Sequence, residues 1–257
     1  LSLYVIFTAE LGAKPDTASG IRAPQIRMKL SIIVPVFNEE KTLRNIIDRV
    51  KSVEMPVEKE IIIVDDCSTD GTAAILDILV SRDPMLKVQR HTVNQGKGAA
   101  IRTAQAMVTG DFVVIQDADL EYDPHEIPKL LKPLLDGVAD AVYGSRFLGG
   151  PHRVLYYWHY VGNKLLTFLT NVLYNVNLSD METCYKVMRA DLFKKLNLTS
   201  DRFGIEPQIT AQIIKRNARL YEAPISYYGR TYEEGKKIRA SDALTAVVVL
   251  IQERFKP

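Results

Sequence analysis

From Lys29 to Asp119 the chain alternates short apolar runs with stretches of helical period, and each run ends in a cluster of polar residues. "LSIIVPV" (Leu30 to Val36) reads as a buried strand, and "EEKTLRNIIDRVKSV" follows as a helix with Leu43, Ile46, Ile47 and Val50 on one face. "EIIIVDD" is a second strand, and the turn "CSTDGT" opens a second helix over Thr72 to Val80. "LKVQRH", "GKGAAIRTAQAMV" and "DFVVIQDAD" continue as strand, helix and strand. Strands joined through crossover helices run parallel. The pattern predicts a doubly wound α/β sheet.

The second half is less regular. "DAVYGSRF" reads as a strand entering a loop with Gly149, Gly150 and Pro151. Val161, Leu165, Phe168, Leu169 and Val172 share one helix face, opposite Asn163, Lys164, Thr167 and Asn171; that apolar stripe is expected to pack on the core, the alternative being that this Tyr- and Trp-rich stretch lies against a membrane. "METCYKVMRA" and "RLYEAPISY" read as strands, and "GIEPQITAQIIKRN" and "DALTAVVVLIQERF" as helices. With no linker in view, residues 28–257 form one domain and residues 1–27 an N-terminal extension.

In open sheets of this class ligands bind beyond the carboxyl ends of the strands. Those ends carry "PVFNEE", "VDDCSTDG", "HTVNQGKG" and "DADLE". Asp117, Asp119 and Glu121 are spaced two apart, which on extended backbone aims all three at one side. Such acids suit a hard divalent cation, Mg²⁺ or Mn²⁺, that keeps positions open for phosphate oxygens. Asp65 and Asp66 can accept from a base N–H or a ribose hydroxyl, and Lys97 at a helix start favours an anion. Each cluster also has a plainer reading, since Asp, Asn and Gly are the ordinary residues of turns and helix caps.

A net charge of +2 over 257 residues excludes general nucleic-acid binding. Cys67 and Cys184 match neither a zinc pattern nor a disulfide framework, which suits a reduced, cytoplasmic setting. No run reaches the roughly 20 apolar residues of a spanning helix, and "LSLYVIFTAELG" lacks the basic flank and cleavage pattern of a signal peptide.

Taken in order, "SIIVPVFNEEKTL", "IIIVDDCSTDGT", "NQGKGAAI", "IQDADLEYDP", "YGSRF", "DMETCYKVMRAD", "RFGIEPQIT" and "APISYYGRTYEEGKKI" resemble the inverting family 2 glycosyltransferases, in particular their dolichol-phosphate mannose synthase-like branch. The resemblance covers about residues 29–240. It implies a GT-A fold, mostly parallel with helices on both faces, a divalent metal and a nucleoside-diphosphate sugar such as GDP-mannose or UDP-glucose. The acceptor it implies is a polyprenyl or dolichyl phosphate at the cytosolic membrane face. Pro35, Phe37, Asn38 and Glu39 would line the nucleotide pocket, Asp66 would read the base, Asp117 would meet the nucleotide or ribose, and Asp119 and Glu121 would hold the metal. Arg146 and Lys186 resemble cations near the donor diphosphate and acceptor phosphate, and Lys236 and Lys237 would close over the phosphates. Cys67 stands where glycine is usual.

A phosphate acceptor is already ionised and needs no general base. Glu206 is the one candidate base, and under this resemblance it orients Arg or Lys partners instead. A saccharide or small-molecule acceptor would need it as a working base. A nucleotidyltransferase would also place acids and a glycine-rich loop on such a sheet, and an inactive nucleotide-sugar-binding module would keep the same pocket. Arg230 and Arg239 read as a solvated loop or as contacts to anionic lipid, and the oligomeric state is left open.

Overall fold

The computed structural model describes residues 28–83, 85–154, 156–235 and 240–256. The extension 1–27 and the pair Lys236 and Lys237 lie outside the described residues. The first half follows the alternation closely: β1 (Lys29–Val36), α1 (Leu43–Ser52), β2 (Glu58–Asp65), α2 (Thr72–Arg82), β3 (Lys87–Arg90), α3 (Lys97–Gln105) and β4 (Phe112–Ile115). Then come α4 (Ile127–Leu135), β5 (Ala141–Ser145), α5 (Tyr157–Tyr174), β6 (Lys186–Arg189), α6 (Ala190–Lys194), α7 (Ile205–Lys215), β7 (Leu220–Pro224) and α8 (Ala240–Phe255).

The strands form one sheet in the order β3-β2-β1-β4-β6-β5-β7. All neighbours are parallel except β6, which runs antiparallel to both β4 and β5. Strands buried on both faces read as continuous apolar runs, as "SIIV" and "IIIV" do. The four apolar residues of α1 are all buried, as its period requires. Under the sheet's other end Glu60 accepts from Ser31 Oγ, Thr109 N and Oγ1, and Lys87 Nζ, closing the β1–β2–β4 floor.

Three expectations change. β4 stops at Ile115, so Asp117, Asp119 and Glu121 sit in a turn rather than on extended strand; Leu120 has φ 65° and the Glu121 N–H donates to Asp119 Oδ1. The strand expected from Met181 begins only at Lys186; the preceding residues are held by irregular bonds to other segments, with Met181 N donating to Thr167 Oγ1 and Thr183 Oγ1 to the Gly144 carbonyl. Helix α5 is turned the opposite way from its apolar stripe. Thr167 and Thr170 are buried while Trp158 is 77% and Phe168 63% exposed. The polar side faces inward because it holds the following segment: Met181 N donates to Thr167 Oγ1 and Leu178 N to Asn171 Oδ1. Helix α5 packs beside α8, whose Leu244, Val248, Ile251 and Phe255 are also exposed. Among the described residues no helix is long and apolar enough to cross a membrane.

Candidate active site

The carboxyl ends of the strands open into a cavity of about 590 Å³. Pro35, Phe37, Glu39, Asp66, Lys97, Asp117, Asp119, Glu121, Arg146 and Glu206 all line it, so residues up to 171 positions apart converge on one space. Asn38 and Lys186 do not line it.

On the β1–β2 side, loops are shaped by side chains bonding to backbone. Asn38, at φ 53°, accepts from Thr69 N, and Asp65 accepts from Ser68 N and Oγ. Asp66 is almost fully occupied: Gly96 N donates at 2.6 Å, Gln95 N at 2.9 Å, and His91 Nδ1 lies at 2.7 Å. This carboxylate builds the loop that precedes α3. Gly96, at φ 101°, and Gly98 lie against the backbone of Ser200 and Asp201; a Cβ on Gly98 would fall 2.0 Å from the Ser200 carbonyl oxygen.

At the centre, Lys97 Nζ bridges Asp117 Oδ1 and Glu206 Oε1, each at 2.8 Å. Burial alone would lower its pKa, but Asp117, Cys184 and Glu206 outweigh that and hold the ammonium well above its usual value. Asp119 goes the other way. Burial, then the charges of Asp117 and Glu121, push its carboxyl up to about 7 against the pull of Arg230.

Arg230 is an unforeseen part of this corner. Its guanidinium reaches Asp119 Oδ2 at 3.1 Å and Glu39 Oε2 at 3.4 Å. Glu121, expected beside Asp119 on a metal, is engaged by this same segment: Tyr227 Oη donates to it at 2.6 Å and Arg230 N at 2.8 Å. Among the described residues no three His, Cys, Asp or Glu side chains form a ready cage for a metal. The donor set still fits Mg²⁺ or Mn²⁺, which are commonly held by one or two carboxylates with phosphates and water completing the shell. Asp119 with Asp117, both on the cavity wall, supplies those carboxylates.

On the β5–β6 side the chemistry is buried and ionic. Arg146 donates from Nε and Nη2 to the two oxygens of Asp180, each at 2.7 Å. Lys186, expected near phosphates, is wholly buried beneath the cavity; its Nζ donates to the Met181 and Thr183 carbonyls and lies 4.6 Å from the Tyr143 ring centre. Its pKa is lowered, by burial first, against the pull of Glu206 and Glu182. Two acids of the lining keep a sealed oxygen with no hydrogen-bond partner, Oε2 of Glu206 and Oε1 of Glu182. Glu182 falls within the stretch "DMETCYKVMRAD", yet no role was assigned to it from sequence.

A crossed α/β sheet with paired acids beyond β4, a glycine-flanked lysine and a cavity over the strand ends is the arrangement of a nucleotide-sugar transferase. The sequence matches the model of the glycosyl transferase family 2 over residues 31–197, and the chain belongs to that family. It is 30% identical over 208 residues to the low-salt glycan biosynthesis hexosyltransferase Agl6 of Haloferax volcanii, covering 79% of this chain and 49% of that protein. It is 28% identical over 219 residues to the undecaprenyl-phosphate mannosyltransferase of Micrococcus luteus, covering 81% of this chain and 87% of that protein. The chain thus spans about half the length of the first relative. Among solved structures, glucosyl-3-phosphoglycerate synthase of Mycobacterium tuberculosis with Mn²⁺, UDP and phosphoglyceric acid superposes with a TM-score of 0.67 at 20% identity, over 90% of this chain and 80% of that one. The fold is GT-A.

These findings correct the narrower placement. Sequence relatives at this identity include both a hexosyltransferase of glycan synthesis and a lipid-phosphate enzyme, so they do not single out the dolichol-phosphate mannose synthase-like branch. The solved structures that match nine-tenths of the chain belong to an enzyme determined with phosphoglyceric acid, a small soluble molecule. Neither that branch nor the polyprenyl phosphate acceptor stands.

Proposed function

We propose that this chain transfers a hexose from a nucleoside-diphosphate sugar to a hydroxyl of a saccharide or other small soluble acceptor. The observation that carries this reading is Glu206. Its Oε1 is fixed by Lys97 at 2.8 Å, Oε2 is sealed and has no hydrogen-bond partner, and the residue lines the cavity. A hydroxyl acceptor needs a base to take its proton as the new bond forms, and a cavity carboxylate with one anchored and one unpartnered oxygen can serve as that base. The acceptor oxygen bonds to the anomeric carbon, the proton passes to Glu206, and the bond to the diphosphate breaks with its electron pair on the leaving group. In-line displacement of this kind inverts the anomeric centre.

On the nucleotide side, Pro35, Phe37 and Glu39 flank the donor, and the 94–97 loop shaped by Asp66 meets the ribose and phosphates. Asp119, with Asp117, would hold Mg²⁺ or Mn²⁺, an ion that when bound supplies positive charge to the departing diphosphate. Solved structures of the Mycobacterium tuberculosis synthase contain Mn²⁺ or Mg²⁺ together with UDP, which supports the same ion class here. Arg146, clamped by Asp180, is a fixed cation facing the same space.

The test is Glu206→Gln, assayed by nucleoside-diphosphate release from UDP-glucose and GDP-mannose with a panel of saccharides and phosphoglyceric acid. Turnover is expected to fall about 10²- to 10⁴-fold with donor affinity kept. A variant that retains turnover would sink the base assignment.

A further inference from the structure

Resting on the nucleotide-sugar reading above, one acid of the cavity is still without a task. Glu182 lies in the irregular stretch between Asp180, which clamps Arg146, and Lys186 at the start of β6. Its Oε1 is sealed from solvent and has no hydrogen-bond partner, although the residue lines the cavity. The charged groups that face it come from several sides: Glu206 of α7, Lys186 of β6, Arg146 beyond β5, and Asp180. Burial, then Glu206, push its carboxyl up to about 8, with Lys186 and Arg146 pulling the other way and Asp180 adding to the push.

Sheet order says which part of a donor meets it. β1, β2 and α3 lie to one side of β4, and β6 and β5 lie to the other. A donor with its base toward β1 and β2 and its diphosphate at the Asp117–Asp119 corner must extend its sugar across β4 toward β6, where Glu182 waits. A protonated carboxyl both donates and accepts, and a hydroxyl does the same. We infer that Glu182 reads a hydroxyl of the transferred hexose, its Oε1 finding there the partner it lacks in the protein. The same placement selects neutral hexoses over uronic acids, because a sugar carboxylate would add an anion beside Glu182, Glu206 and Asp180.

The experiment is calorimetric titration in Mn²⁺ of UDP-glucose against UDP, and of GDP-mannose against GDP. For one pair, the sugar nucleotide is expected to bind about tenfold more tightly than its bare diphosphate, the value of one well-placed buried hydrogen bond. Glu182→Ala erases that ratio and leaves diphosphate binding unchanged. Glu182→Gln, which keeps shape, donor and acceptor, preserves the ratio. A wild-type ratio of one, a ratio unchanged in Glu182→Ala, or a ratio lost in Glu182→Gln, each overturns the inference while leaving the nucleotide-sugar reading intact. A wild type that binds none of the four nucleotides overturns both.

Discussion

The two sides of β4 solve the same problem, holding polar groups at the rim of an apolar sheet, in different ways. On the β1–β2 side acids bond to backbone: Asp66 takes the N–H groups of Gln95 and Gly96, and Asp65 that of Ser68. On the β5–β6 side charged side chains bond largely to one another or to carbonyls under the floor, as Arg146 does with Asp180 and Lys186 with Met181. A loop shaped by backbone bonds holds its form whether or not a ligand is present. Buried ionic groups instead depend on every partner being in place, because a charge left alone in the interior is costly.

That contrast predicts unequal responses to loss of one partner. Asp180→Asn strands the buried Arg146 guanidinium and is expected to lower stability by about 3 kcal/mol, read from urea denaturation; a loss under 1 kcal/mol would mean that solvent already reaches the pair. At the central corner, Asp119→Ala is expected to remove the Mn²⁺ dependence of donor binding, a change of roughly 10- to 100-fold, whereas Arg230→Gln, which frees a competitor for the same acid, raises Mn²⁺ affinity about fivefold, near 1 kcal/mol. Equal affinities with and without Mn²⁺ in the wild type would remove the metal from the account. At the sheet floor, burial alone would raise the Glu60 carboxyl, but its bonds from Lys87, Ser31 and Thr109 outweigh that and hold it well below the usual range. A depressed acid stabilises the fold fully above its unfolded value near 4.3 and loses that contribution as pH falls. Glu60→Gln is therefore expected to cost roughly 2 kcal/mol at pH 7 and to flatten the acid branch of the stability profile; a profile parallel to the wild type's would discount Glu60.

The same contrast explains what the sequence revealed. Local spacing was enough to locate α1, β2 and the acids beyond β4, because each answers to neighbours within one element or one turn. Asp66, Lys97 and Asp119 reached the cavity for that reason. Helix α4 went unread because Pro128 and Pro133 interrupt its period, although Ile127, Leu130, Leu131 and Leu134 are buried as a helix face requires. The facing of α5 was inverted because its polar side earns burial only through bonds to residues 178–181, which no helical period encodes. Glu182 and Arg230 acquire meaning only from residues far along the chain, Glu206 in one case and Asp119 in the other.

The contact between Gly98 and Ser200 has a consequence for how such an enzyme can diversify. Main chain meets main chain there, and Ala99 N donates to the Asp201 carbonyl at 3.1 Å, so no side chain is available to widen or narrow the gap. The spacing between the start of α3 and the approach to α7 is thus a fixed dimension of the molecule. Descendants of this chain that accept new sugars or acceptors must change residues across the cavity, around 180–185 and 226–230, and leave that seam as they found it.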